Sequence, residues 1–315
     1  MVFVGVATAD AIALVDRFPE ADERIVAQDV LFAGGGPAAT AAVAAARLGM
    51  DAAIVSAVGD DAEGERIVEG LAAEGVDVSG VARIPGERSG RSLVIIDGPH
   101  RTRAIVNRPG PEIDLASNPT AQSLIGAADW VHVDQLGWAP VHRHLGQLVH
   151  RPRLSVDAGN PIPGYTQPGT ALYAPTIPAL QARYGTPGGP NDTLALLRRA
   201  LADGAGIAVA TGGGEGSFGV EEGSESLVRA TPPAAEIAST LGAGDVFHGA
   251  LLAGLARSER GELSGLDQVL AYATTVASLS CRGIDGRSRI PDHDEAIRHV
   301  ADSTATSIQG EDLVL

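Results

Sequence analysis

Residues 239–254 read Ser-Thr-Leu-Gly-Ala-Gly-Asp-Val-Phe-His-Gly-Ala-Leu-Leu-Ala-Gly. Gly242-Ala243-Gly244 can expose consecutive backbone N–H groups, and the apolar run from Val246 to Leu255 reads as a helix starting immediately after them. A helix N-terminus with free N–H groups at its positive dipole end is an anion site. Asp245 falls in the first turn, where it would repel a bound phosphate at rest. Its chemistry fits a base that takes a proton from a hydroxyl, while the glycine loop holds the charge that develops on a transferring phosphoryl group. A capped helix start with an acidic first turn is the plainer reading of the same residues.

A second glycine-rich element lies far upstream. Gly34-Gly35-Gly36-Pro37-Ala38-Ala39-Thr40 leads into an alanine-rich helix former that Gly49 stops. The spacing is not Gly-x-Gly-x-x-Gly followed by a ribose-binding acid, which disfavours a dinucleotide fold and a dehydrogenase.

Together the two elements resemble the N-terminal Gly-Gly signature and the C-terminal Asp-Thr-x-Gly-Ala-Gly-Asp signature of the PfkB (ribokinase-like) carbohydrate kinases. Gly5 to Asp10 is similar to that family's first substrate loop. Val58 to Gly64 is similar to its Gly-x-Asp-x-x-Gly segment, and Thr211 to Gly216 to its Thr-x-Gly-x-x-Gly nucleotide loop. These ordered matches span nearly the whole chain. Within the family, Gly34 to Gly49 and Gly242 to Leu251 most resemble the sulfofructose kinases, and Cys281 to Gly286 the ketohexokinases.

The resemblance implies a three-layer α/β/α domain over residues 1–315 with a small β-sheet lid, its strands drawn from about 11–32 and 91–107. It implies ATP-dependent phosphorylation of a sugar hydroxyl, with a ketose or ketose derivative as the expected acceptor and a nucleoside as the alternative. Asp245 would be the base and Gly242, Ala243 and Gly244 the anion hole. Asp10, Gly35, Gly36, Thr40 and Asn107 would hold the sugar, and Thr211, Gly213 and Gly216 the nucleotide. Magnesium and potassium are the expected ions, with no metal ligand assignable. Lids of two subunits pack together in many members, which implies a homodimer.

Several positions depart from the pattern. Thr40 stands where an asparagine is common. Thr176-Ile177-Pro178-Ala179 stands where Asn-x-x-Glu should organise magnesium, and Ser239 replaces an aspartate of a monovalent-cation loop. These departures keep open a non-catalytic sugar- or nucleotide-sensing protein, against which the intact Gly-Ala-Gly-Asp stands.

Composition narrows the field. The net charge of −16 makes a nucleic-acid partner improbable. All 23 basic residues are arginine, so phosphate loops and Schiff bases that need lysine are excluded. The single cysteine, Cys281, permits neither an internal disulfide nor a cysteine zinc site, and reads as a pocket lining or a buried small hydrophobe. No apolar run is long enough to span a bilayer, and a cytoplasmic location is expected.

Patterning places strands at Val2–Val6, Ala11–Val15, Arg24–Phe32, Ala52–Val58, Trp130–Val133, Leu154–Asp157 and Ile207–Ala210. A hairpin is expected from Ser92–Ile96 to Arg103–Val106 around Asp97-Gly98, and helices at Glu63–Glu74, Thr193–Leu201 and Leu266–Ser280. Residues 159–191 are too rich in Pro and Gly to assign, and the tail after Asp302 reads as peripheral. His248 is either an assistant to Asp245 or a packed helix side chain. Arg103 and Arg108 are either contacts to an anionic substrate or solvated lid residues. Asp129, Asp134 and Asp157 end strand segments and are candidates to touch ligand or metal-bound water.

Overall fold

The computed structural model describes residues 1–148, 151–185, 192–224 and 226–308. In chain order the first half runs β1 (Val2–Val4), β2 (Thr8–Val15), β3 (Asp29–Gly35), α1 (Pro37–Arg47), β4 (Ala53–Val55), β5 (Ala57–Gly59), α2 (Ala62–Ala73), β6 (Ala82–Ile84), β7 (Arg91–Asp97), β8 (Thr102–Arg108), α3 (Pro119–Ala127), β9 (Trp130–Val133) and α4 (Trp138–Leu145). The second half runs β10 (Arg153–Asp157), β11 (Thr170–Ala174), α5 (Ile177–Tyr184), α6 (Asp192–Ala202), β12 (Ile207–Thr211), β13 (Ser217–Glu221), β14 (Leu227–Thr231), α7 (Ala243–Glu259), α8 (Gly265–Ser280), α9 (His293–Val300) and β15 (Thr304–Ile308).

Nine strands form the main sheet in the order β15-β14-β13-β12-β11-β10-β9-β1-β4, parallel from β12 to β4 and antiparallel at the other edge. Successive strand side chains point to opposite faces. Phe3, Leu172, Ala174 and Val209 therefore pack against α1, α2, α7 and α8 on one side. Val2, Val4, Val131, Val156 and Ala208 pack against α3 to α6 on the other. The result is the expected three-layer α/β/α architecture.

The alanines of α1 have a packing reason beyond helix propensity. A Cβ at Gly249 of α7 would lie 2.2 Å from Ala41 O and 2.8 Å from Ala44 Cβ, so the two helices nearly touch backbone to backbone. Small residues on both permit the approach. That crossing brings the two glycine-rich elements, more than 200 residues apart in sequence, to one end of the molecule.

The second sheet, which the sequence reading expects to act as a lid, has four strands in the order β3-β2-β7-β8, with β2 and β7 parallel. Its strands reach slightly beyond the expected ranges, starting at Thr8 and ending at Gly35 and Arg108. Three expectations are corrected. The strand read at Arg24–Phe32 is Asp29–Gly35, because residues 24–28 form no ladder. The single strand read at Ala52–Val58 is two: it breaks at Ser56, whose hydroxyl donates to Gly5 O, and β5 leaves to pair with β6. The polar tail is not peripheral, since Thr304 to Ile308 extends the main sheet beside β14. The last residues, 309–315, lie outside the described ones.

Candidate active site

Between lid and sheet lies a cavity of about 530 Å³. It sits over the C-terminal ends of the parallel strands, where loops after β1, β9, β10, β11 and β12 converge. On the sheet's long side the strands run outward from β1 through β9, and β4 lies on the other flank. A crevice at such a change of direction is where open α/β sheets bind ligands.

Strand register builds the lid wall. Asp10, Ser92 and Asn107 stand opposite one another across β2, β7 and β8. Ile12, Val94 and Ile105 form the next rung, and all six line the cavity. Polar groups thus lie at one level and apolar groups at the next. Thr8 Oγ1 donates to Asp10 Oδ1 at 2.8 Å. Burial raises the Asp10 carboxyl above its ordinary range, opposed by bonds from Thr8 and Ser92 and by the charge of Arg287.

The facing wall is the start of α7. Gly242 adopts φ 73°, a left-handed conformation natural to glycine, and turns the chain into the helix. The first intrahelical bond runs from Val246 N to Gly242 O, so the Gly244 and Asp245 N–H groups precede the ladder. Gly242, Gly244 and Asp245 line the cavity, and open space surrounds Gly244. Ala243 does not line it: its N–H turns back to Thr240 O at 3.4 Å. Of the three residues expected to form the anion hole, Gly242 and Gly244 line the cavity and Ala243 does not.

Asp245 is recessed in the wall, and burial raises its carboxyl to about 7. The Asp157 and Asp134 carboxylates add to this rise, while His248 and Arg287 oppose it. A carboxylate poised near neutrality suits proton abstraction at physiological pH.

His248, one turn along α7, lines the same cavity, and its Nε2 lies 3.2 Å from Asp157 Oδ1. Burial pulls the imidazole down, but the Asp157 charge and hydrogen bond outweigh it and raise its pKa. Asp157 is correspondingly held at about 2: burial would raise it, and His248 and the Gly159 N–H overcome that. His248 is thus both packed in its helix and part of the cavity wall.

Asp134 has a different part. It is buried, and its oxygens accept from the backbone N–H groups of Val6 (2.6 Å), Ala38 (3.3 Å), Leu136 (2.9 Å) and Gly137 (3.1 Å). One carboxylate therefore pins the loop after β1, the first turn of α1 and the turn after β9. Burial pushes it up to about 6 against those bonds. Asp129 lies on neither wall of the cavity.

The remaining candidates divide. Gly35, Gly36, Thr40, Asn107 and Thr211 line the cavity. Gly213 and Gly216 do not. They shape the turn between β12 and β13, where a Cβ at Gly216 would lie 1.9 Å from Ala230 O. Arg103 lines the cavity and its Nη1 donates to Thr240 Oγ1 at 3.0 Å, tying β8 to the glycine loop. Arg108 bonds Ser89 O instead. Cys281 is buried at the end of α8 with its thiol on Ala277 O, away from the cavity.

Among the described residues no group of three or more His, Cys, Asp or Glu side chains could hold a metal alone. Asp157 also lines the cavity; its Oδ1 accepts from Gly159 N and pairs with His248, so its Oδ2 would be the oxygen open to a phosphate-bound magnesium. Thr176, in place of the expected asparagine, caps α5 and lines the cavity beside Thr211. Sequence reasoning missed Arg287, a buried arginine from the loop after α8 that faces both Asp10 and Asp245. Neither a glycine pattern nor periodicity marks it.

No helix among the described residues is long and apolar enough to cross a membrane. The family model of the pfkB family carbohydrate kinases matches residues 1–150 and 164–292. The chain is 25% identical to Bacillus subtilis ribokinase over 93% of its length and 96% of that protein. It is 23% identical to the bifunctional ribokinase/ribose-5-phosphate isomerase A of Fructilactobacillus sanfranciscensis over 95% of its length, spanning 56% of that protein. The structure of Arabidopsis thaliana ribokinase complexed with ribose and ATP superposes with a TM-score of 0.79 at 22% identity, covering 95% of this chain and 97% of that one. With a family match over most of its residues, the chain belongs to the pfkB family of carbohydrate kinases.

Proposed function

We propose that this kinase transfers the γ-phosphoryl group of ATP to a primary hydroxyl of a ketose or ketose derivative, with Asp245 as the general base. The observation that carries the reading is a single one. The raised Asp245 carboxyl stands in one cavity between the open Gly244 amide and the polar rung of Asp10, Ser92 and Asn107. Bound MgATP supplies the phosphoryl group. The chain's own residues do the rest. Asp10 accepts from sugar hydroxyls through the oxygen that Thr8 leaves open, and Asn107 and Thr40 supply further partners. Asp245 takes the proton of the acceptor hydroxyl onto its carboxylate. The Gly244 and Asp245 amides face the charge that builds on the phosphoryl oxygens, with Gly242 setting the turn that exposes them. His248, whose pKa is raised by Asp157, stands one helical turn away. The lid strands cover the site and exclude water, which suppresses hydrolysis.

The nucleotide end lies toward Thr211 and Thr176, with Gly213 and Gly216 shaping the adjoining turn. Asp157 is the residue that would meet a phosphate-bound magnesium. Ser239 accepts from Leu241 N at 3.0 Å and so takes part in forming the loop where a potassium site would be expected.

The ribokinase relatives favour a second acceptor class, an aldopentose. ADP release with MgATP over a panel of D-fructose, D-ribose, sulfonated and phosphorylated ketoses, and nucleosides separates the two. A signal with ketoses supports the proposal, and one confined to D-ribose replaces it with the second reading. Demonstrated ATP binding with no acceptor-dependent ADP release would refute the kinase mechanism for this chain.

A homodimer through the lid is part of the proposal. On the outer lid face Phe32, Ala11, Leu93 and Val106 form one rung across all four strands. Phe32 is 75% exposed, Val106 69% and Leu93 49%. A contiguous apolar face of this kind on a charged molecule suits a second copy of itself.

A further inference from the structure

The loop after α8 sends a buried side chain into the acceptor end from outside every motif. Arg287 Nε donates to Thr40 Oγ1 at 3.1 Å, and Nη2 donates to Gly35 O at 2.7 Å. Nη1 lies against Gly34, where a Cβ would come within 2.3 Å of it. The backbone of Arg287 is fixed in turn: its N–H donates to Asp285 Oδ1 at 2.7 Å, and its carbonyl accepts from Arg47 Nη1 of α1 at 2.7 Å. Loop, helix α1 and the Gly34–Gly36 turn are thereby joined through one guanidinium and its own main chain.

A buried cation is expensive unless it is bonded and faced by opposite charge. Burial lowers Arg287 to about 10, and the carboxylates that counter this are Asp10, Asp245, Glu74 and Asp285. Asp10 and Asp245 are the two that bracket the cavity. Thr40 is 2% exposed and lines the same cavity. A hydroxyl whose oxygen accepts from an arginine has its own hydrogen left to donate. The short threonine and the long arginine thus do together what a single amide could do at the position of Thr40.

We propose that Arg287 is a positioning residue of the acceptor end: it fixes the Thr40 hydroxyl as a donor, braces the Gly34–Gly36 turn, and supplies a fixed positive charge between Asp10 and Asp245. This rests on the assignment of the cavity as the acceptor site, and the first test below needs no substrate. Lysine cannot replace it, because a point charge lacks the planar fork that reaches Thr40 and Gly35 at once.

The test is melting of the ligand-free full chain from pH 5.5 to 9.0. Wild type is compared with Arg287→Gln, Arg287→Lys, Thr40→Val and the Thr40→Val/Arg287→Lys double variant. Asp245 is faced by Asp134 from β9, Asp157 from β10, His248 from α7 and Arg287; Asp10 is faced by Thr8, Ser92 and Arg287. Without the arginine charge the two carboxylates titrate higher, so the penalty of Arg287→Gln accrues only as they ionise. Its gap from wild type should widen by roughly 3 °C or more across the range, while that of Arg287→Lys stays flat. A flat gap for Arg287→Gln overturns the shared-charge role. The double variant should melt no lower than the worse single one, and summed losses overturn the coupling through Thr40. Should Arg287→Gln not fold, the lysine and valine variants still decide that coupling. Kinetics with MgATP and D-fructose or D-ribose, whichever is turned over, should show an acceptor KM raised about tenfold in Arg287→Lys and Thr40→Val, with the ATP KM unchanged. Equal rises in both constants overturn the assignment to the acceptor end.

Discussion

Raising the pH from 6 to 8 should increase turnover roughly tenfold through one residue. Burial, with the Asp157 and Asp134 carboxylates behind it, raises Asp245 to about 7. With that midpoint about 9% of the enzyme carries an ionised Asp245 at pH 6 and about 91% at pH 8. The acid limb of kcat/KM should have a slope of one and bend near pH 7. Asp245→Asn should remove the limb and lower kcat by about 10²–10⁴. The same carboxyl leaves an opposite mark on stability. Because its folded pKa lies above the unfolded value, its stabilising contribution is complete below about pH 4 and is lost as pH rises through about 7. A rise from 3.8 to about 7 corresponds to a penalty of up to roughly 4 kcal/mol at pH 8. Asp245→Asn should therefore melt higher than wild type at pH 8 while losing turnover, and should lose that advantage at pH 5. Coupled ADP-release kinetics and calorimetry on the same preparations read both effects. A variant that keeps more than a tenth of wild-type turnover, or an acid limb that persists without the carboxylate, would refute the assignment.

Other perturbations reach different parts of the site. Asp134→Ala removes the acceptor of four backbone N–H groups and should cost about 3 kcal/mol or more in urea denaturation, with acceptor binding weakened as the loop after β1 loosens. Gly249→Val forces a Cβ into Ala41 O and should destabilise by roughly 3 kcal/mol with a clear fall in Tm; an unchanged Tm would show that α1 and α7 can separate freely. Phe32→Asp should shift the mass measured by light scattering from dimer to monomer without unfolding the chain, and a wild-type monomer at micromolar concentration would refute the lid dimer.

The parallel core was readable because its strands are short apolar runs, as at Trp130–Val133 and Leu154–Asp157, and buried strands carry that signature. The glycine-rich elements were readable because small residues before a helix have few other uses. What escaped was set by partners distant in sequence. Ala52–Val58 is continuously apolar, and only the Ser56 bond to Gly5 O shows why it splits into strands of two sheets. Residues 304–308 look like a polar tail until β14 offers an edge to pair with. Asp134 and Asp157 end neighbouring strands and look alike in sequence. One is ringed by backbone N–H groups and the other faces a histidine from α7, so a staple and a site residue separate only in three dimensions. Arg287 is one arginine among 23, and its contact with Thr40 spans a sequence separation of 247 residues.

The lid writes two messages in interleaved letters. Positions 10, 12, 92, 94, 105 and 107 read inward, while 11, 13, 93, 95, 104 and 106 read outward. On the proposed function, substitutions confined to one set would retune the choice of sugar without disturbing the outer face, and the reverse. A one-residue deletion within a lid strand has no such freedom. It would exchange the two texts from that point on, presenting the wholly apolar outer set to the cavity and carrying Asp10, Ser92 and Asn107 to the outside. Lid families should therefore drift by replacement and tolerate length changes only at their turns.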